Sequence, residues 1–109
     1  MAIQLPRIIS EYFAADKAGG ADAVAHCFTE HAVVRDEGNI YAGRDAIRQW
    51  KADSTQKYTY TAEPFSIARD GDRLVVTSRL VGDFPGSPID LRYLFVLEDE
   101  KIGALEIIP

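Results

Sequence analysis

The 109-residue chain has one cysteine, Cys27, and two histidines, His26 and His31. A lone thiol cannot close a disulfide within the chain, and two His with one Cys fall short of a four-ligand zinc site. No metal site is therefore expected. No apolar run approaches the ~18–20 residues of a membrane span. Positive charge is in deficit, with 12 Lys and Arg against 17 Asp and Glu, a net charge of −5. Nucleic acid and anionic membrane both call for a basic face, so neither is an expected partner. Residues 1–7 lack the basic-then-apolar order of a secretory leader, and a cytoplasmic protein is the simplest reading. The loop at residues 82–88 holds two glycines, yet it joins two strands and precedes no helix, so it is not a phosphate cradle. Repeats, linkers and low-complexity segments are absent, and the length fits one domain, residues 1–109.

What is present is a periodic pattern that changes midway. Leu5, Ile8, Ile9, Tyr12 and Phe13 fall on one stripe of an amphipathic helix. Pro6 suits its first turn and Gly19-Gly20 ends it. Val24, Cys27 and Phe28 mark a second, shorter helix with the same spacing. Residues 32–36 read as a short strand, Glu37-Gly38-Asn39 as a turn, and Ile40-Tyr41 as a second small strand. Residues 44–54 form the third helix, with Ile47 and Trp50 on its buried face. From there the period falls to two. Residues 57–69 are strand-like, with Pro64 at an edge or bulge. Asp70-Gly71 is a hairpin turn into residues 73–81. Residues 89–97 and 102–108 complete the set. Helices followed by long antiparallel strands predict an α+β domain with the helices on one side of the sheet. The last two strands are too apolar for a sheet with one wet face. A second copy of the chain is the economical cover, so a homodimer is expected.

Two tyrosines, Tyr12 and Tyr93, and one aspartate, Asp36, stand out for chemistry. Asp36 shares strand parity with Val34, so if Val34 faces inward, Asp36 does too. A carboxylate in an apolar cavity can serve as general base on a carbon acid, or as general acid. A strand-end Asp can equally cap its own turn. Tyr12 lies on the apolar stripe of the first helix. Its hydroxyl can donate to a developing oxyanion, or the ring can serve core packing alone. Asp90 and Arg92, two apart, should point opposite to Leu91, Tyr93 and Phe95, toward the outer face.

The run Phe28-Thr-Glu-His-Ala-Val-Val-Arg-Asp36, then Gly38, Gly43, Ile47 and Trp50, resembles the SnoaL-like branch of the nuclear transport factor 2-like superfamily. That branch includes polyketide cyclases and relatives of ketosteroid isomerase. The resemblance implies a cone-shaped fold, three N-terminal helices packed on a curved, mostly antiparallel sheet. It also implies a carboxylate at the position of Asp36 in a helix-lined cone. Ketosteroid isomerases carry a Tyr on the first helix and an Asp on the first strand, and Tyr12 and Asp36 match both. Their second, protonated Asp has no counterpart here, because the matching position falls at or near Tyr93. Polyketide cyclases of the SnoaL type, which rely mainly on one Asp, tolerate that difference better.

The resemblance thus implies an enzyme acting on a small hydrophobic, carbonyl-bearing molecule by proton transfer, as isomerase or cyclase, without a cofactor. Asp36 is the candidate base, with Tyr12 and Tyr93 as hydrogen-bond donors. Phe13, Phe28, Val34, Trp50 and Phe95 are candidate walls of the ligand cavity. Tyr58, Tyr60, Phe65 and Phe84 are further candidates. A non-catalytic binding module using the same cavity, and a dimeric scaffold with a filled cavity, are the alternatives.

Overall fold

The computed structural model describes residues 3–109. Three helices, α1 (Arg7–Ala18), α2 (Ala21–His26) and α3 (Arg44–Lys57), accompany six strands. The strands are β1 (Phe28–Asp36), β2 (Asn39–Ala42), β3 (Tyr60–Asp70), β4 (Arg73–Gly82), β5 (Ile89–Glu98) and β6 (Lys101–Ile108). They form one sheet in the order β2-β1-β6-β5-β4-β3. Every neighbouring pair is antiparallel except β1 and β6, which run parallel. The last strand thus lies between β1 and β5.

All three helices cover one face of this sheet. Ile8, Ile9, Tyr12 and Phe13 of α1, Val24 of α2, and Ile47 and Trp50 of α3 share one core with the inward residues of the sheet. Those inward residues are Val34 of β1, Leu105 of β6, Tyr93 and Phe95 of β5, and Val76 and Leu80 of β4. The alternation is clean on β1, where Ala32 and Val34 are buried and His31 and Arg35 exposed, as a pleat with one covered face requires. The opposite face carries Val33, Arg35, Leu94, Val96, Ala104 and Glu106. A groove of about 380 Å³ runs across it.

Three boundaries differ from the sequence expectation. Phe28 does not end the second helix. It opens β1, paired with Ile102 of β6. The i, i+4 spacing from Val24 imitates a helix, but α2 stops at His26, because the chain there turns to meet a strand some seventy residues away. The third helix runs to Lys57 rather than stopping near Ser54. Ser54 and Thr55 return their hydroxyls to the Trp50 and Lys51 carbonyls, 2.9 and 3.1 Å away, so these polar groups are satisfied within the helix. Consequently β3 begins at Tyr60, not at Lys57.

Candidate active site

Register places the candidate groups. Asp36 pairs with Ile107, Ile107 with Tyr93, and Tyr93 with Val76. These four residues form one row across the inner face. Asp36 and Tyr93 are two strands apart, roughly 10 Å between Cα atoms at the usual strand spacing. Asp36 is the last residue of β1 and is half-buried. Its Oδ2 accepts the indole N–H of Trp50 at 3.0 Å, so the carboxylate is tied to α3. A groove of about 290 Å³ at the β1–β2 turn is lined by Arg35, Ile40, Glu106 and Ile108 among others, residues of the outer face, and Asp36 borders it.

Tyr12 is fully buried. Its ring meets Phe13, Phe28, Phe95 and Tyr93 edge-on, with centroids 5.2, 6.0, 5.6 and 6.4 Å away. The hydroxyl has no hydrogen-bond partner among the described residues, and neither has Ser78 Oγ. Burial raises the Tyr12 phenol well above its ordinary value, with the nearby Asp16 charge adding to it. Burial and Asp16 likewise raise Tyr60 and Tyr93, and Asp36 also raises Tyr93. All three phenols therefore stay protonated at neutral pH and present O–H donors.

A second polar group lies beside these. Lys51 Nζ is 2.8 Å from Asp16 Oδ1, both side chains almost wholly buried at 3% and 4% exposure. The Tyr60 hydroxyl donates to the same Asp16 oxygen at 2.9 Å and accepts from Lys51 at 3.2 Å. The ammonium also sits over the Trp50 ring, 4.3 Å from its centroid. Neither Asp16 nor Lys51 was expected from the sequence, yet the signal was there. Ile9, Tyr12, Phe13 and Asp16 follow i, i+3, i+4, i+7, as do Ile47, Trp50, Lys51 and Ser54. Each charge completes an apolar stripe, which is where a charged residue must be paired.

Of the expected walls, Phe13, Phe28, Val34, Trp50 and Phe95 lie in the core, and Tyr60 and Phe84 pack against it. Tyr58 meets Phe84 edge-on at 6.1 Å, at the rim. Phe65 is a correction. It is 49% exposed, because the β3–β4 register shifts between Pro64 and Ser66 and the bulge turns this side chain out of the inner row. Asp90 pairs with Arg79 at 3.2 Å, and Arg92 donates to the Pro109 carbonyl, both at exposed positions as strand parity predicts. His26 and His31 are exposed. Cys27 is buried, its thiol directed at the Ala23 carbonyl and its pKa raised by burial. Among the described residues, no helix is long and apolar enough to cross a membrane, and no three His, Cys, Asp or Glu side chains cluster to hold a metal ion.

Three helices on one face of a curved mixed sheet, with a carboxylate at the end of the first strand, define the α+β architecture of the nuclear transport factor 2-like proteins. The SnoaL-like domain model matches residues 9–103, and the chain belongs to that family. It is 41% identical to a candidate polyketide cyclase from Sinorhizobium meliloti, covering 94% of both chains at a TM-score of 0.89. An epoxide hydrolase/cyclase-like enzyme, SalBIII, with a role in pyran ring formation in the polyether salinomycin, is 26% identical. That match covers 93% of this chain and 86% of SalBIII, at a TM-score of 0.77. A protein of ketosteroid isomerase-like fold from Catenulispora acidiphila, solved with trimethylamine, shares the fold at 20% identity. The match covers 97% of this chain and 87% of that one, at a TM-score of 0.85. No protein of curated function matches the sequence.

Proposed function

We propose that this protein is a small enzyme of the SnoaL-like type that isomerises or cyclises a hydrophobic, carbonyl-bearing molecule by proton transfer. The observation that carries the reading is the placement of Asp36. Its carboxylate ends the inner-face row, is oriented by Trp50 at 3.0 Å, and is half-buried. In the reaction the Asp36 carboxylate takes a proton from the carbon beside the carbonyl. The C–H electron pair moves into the carbonyl, leaving an enolate oxygen. Tyr12, with Tyr93, donates a hydrogen bond to that oxygen. Asp36 then returns the proton to another carbon of the conjugated system, or the enolate carbon attacks a second carbonyl and closes a ring, and Asp36 gives its proton to the alkoxide so formed. Because the Tyr12 hydroxyl is fully enclosed, a ligand enters only if side chains at the mouth move aside.

The test is exchange of α-carbon hydrogen for solvent deuterium, followed by NMR on a panel of bicyclic enones and 1,3-diketones. Asp36→Asn should abolish enzyme-dependent exchange while leaving ligand affinity within a few-fold. Full exchange by Asp36→Asn would end the assignment. The packed aromatic interior favours a second reading, a dimeric scaffold whose cavity is filled. That reading expects no member of the panel to bind. In either case the outer sheet face, with Val33, Leu94, Val96 and Ala104, is the surface we assign to a homodimer.

A further inference from the structure

Asp16 and Lys51 have no part in the proton transfer just described, and packing does not account for them. A buried ion pair is in general no more stabilising than apolar side chains of the same volume. The ammonium is nevertheless held from three sides, by Asp16 at 2.8 Å, by Tyr60 at 3.2 Å and by the Trp50 ring at 4.3 Å. That indole gives its N–H to Asp36. One ring therefore separates the two charges, with the ammonium on its face and the carboxylate at its edge. The ammonium also lies 5.8 Å from the centroid of the Tyr12 ring, whose hydroxyl is fully buried with its donor uncommitted. Asp16 and Lys51 form a dipole whose positive end is turned to Trp50. Tyr60, donating to Asp16, spreads the negative end away from it.

We propose that Lys51 stabilises negative charge on a ligand oxygen that hydrogen-bonds to the Tyr12 hydroxyl, and that Asp16 and Tyr60 position its ammonium for this. The ligand class follows from the charge. The site selects a compound whose oxygen is neutral or weakly acidic in water and anionic when bound, an enolisable ketone or a phenol. In the proton transfer, Lys51 keeps its proton throughout. It acts through space on the enolate oxygen in a medium of low dielectric, where a fixed charge is worth far more than in water. The inference rests on the reading of the interior as a ligand site, but it is tested by binding, independently of turnover.

4-Nitrophenol serves as the ligand, because its colour reports its ionisation. Titrating the whole protein with it across neutral pH should show phenolate bound about tenfold or more tighter than phenol, a difference of roughly 1.4 kcal/mol or more. Asp16→Asn removes the counter-charge and should widen that preference. Lys51→Met combined with Asp16→Leu removes both charges at similar volume, so the fold is retained. The double variant should lose the preference while keeping its affinity for the neutral phenol. A simple clamp between α1, α3 and β3 predicts something else, namely both forms weakened in parallel with the preference unchanged. That result overturns the proposal, as does failure of the native protein to bind either form. Asp36→Asn keeps the two readings apart. If it still catalyses exchange, the base is misassigned, while the phenolate preference stands or falls on its own.

Discussion

At the scale of single residues, the buried phenols make a prediction about alkali. Tyr12, Tyr60 and Tyr93 are raised above the ordinary phenol value, chiefly by burial. A group with a raised folded-state pKa holds its proton longer when folded than when unfolded. Its contribution to stability is complete below about pH 10 and is lost as pH rises, because the unfolded chain releases the proton first. Each such tyrosine steepens the loss by up to ~1.4 kcal/mol per pH unit. Denaturant unfolding followed between pH 8 and 11 should show the decline, and Tyr12→Phe should make it shallower. At neutral pH the same substitution removes a buried hydroxyl without a partner, which costs about 1–3 kcal/mol when unsatisfied. Tyr12→Phe should therefore leave stability unchanged or raise it, while slowing any exchange catalysed at Asp36. A marked fall in melting temperature would mean that the hydroxyl is already satisfied in the folded protein.

At the scale of elements, legibility followed locality. The stripes of α1 and α3, the Asp70-Gly71 hairpin and the parity of Val34 with Asp36 each depend on a few neighbouring residues, and each was readable. The α2–β1 boundary was not, because Phe28 is a strand residue only by virtue of Ile102. The Asp16–Lys51 pair escaped for a related reason. The stripe shows that each charge needs a partner, but nothing near either residue shows that the partner lies 35 positions away. The start of β3 holds this pair in place and can be disturbed from a distance. A Cβ at Gly82 would come within 2.3 Å of the Thr59 carbonyl oxygen and 2.7 Å of Tyr60 Cβ. Gly82→Ala should therefore push the first residues of β3 off β4 and carry the Tyr60 hydroxyl away from Asp16. The cost should be roughly 1–3 kcal/mol, read by urea unfolding, with loss of any phenolate preference as the site-specific sign. Gly86→Ala, a few residues on, has nothing within 4 Å of its Cβ and should leave Tyr60 in place, at the price of a strained left-handed φ of 89°.

For the whole molecule, the outer sheet face bears on assembly. Leu94 is almost fully buried there, but Val33, Val96 and Ala104 are only half covered and line a continuous groove. A dimer through this face should bury at least ~1,000 Å² in total. Sedimentation at micromolar concentration should find two chains, and Val96→Glu should give one, since an unpaired charge at a buried apolar contact opposes association. A native protein sedimenting as a single chain would dispose of the interface.

The placement of β6 between β1 and β5 also has a consequence in time. Translation delivers β1 and β2 early and β3, β4 and β5 later, but these two groups share no backbone ladder. Only residues 101–108 join them, and they are made after the other five strands. Until they emerge, the nascent chain holds a two-stranded ribbon and a three-stranded meander, each with a bare edge facing the other. Long-range parallel pairing of this kind is slow to form and leaves edges open while it waits. Ribosome-stalled chains ending at residue 98 should remain protease-sensitive throughout, whereas chains extended past 109 by a linker clearing the exit tunnel should become resistant in a single step.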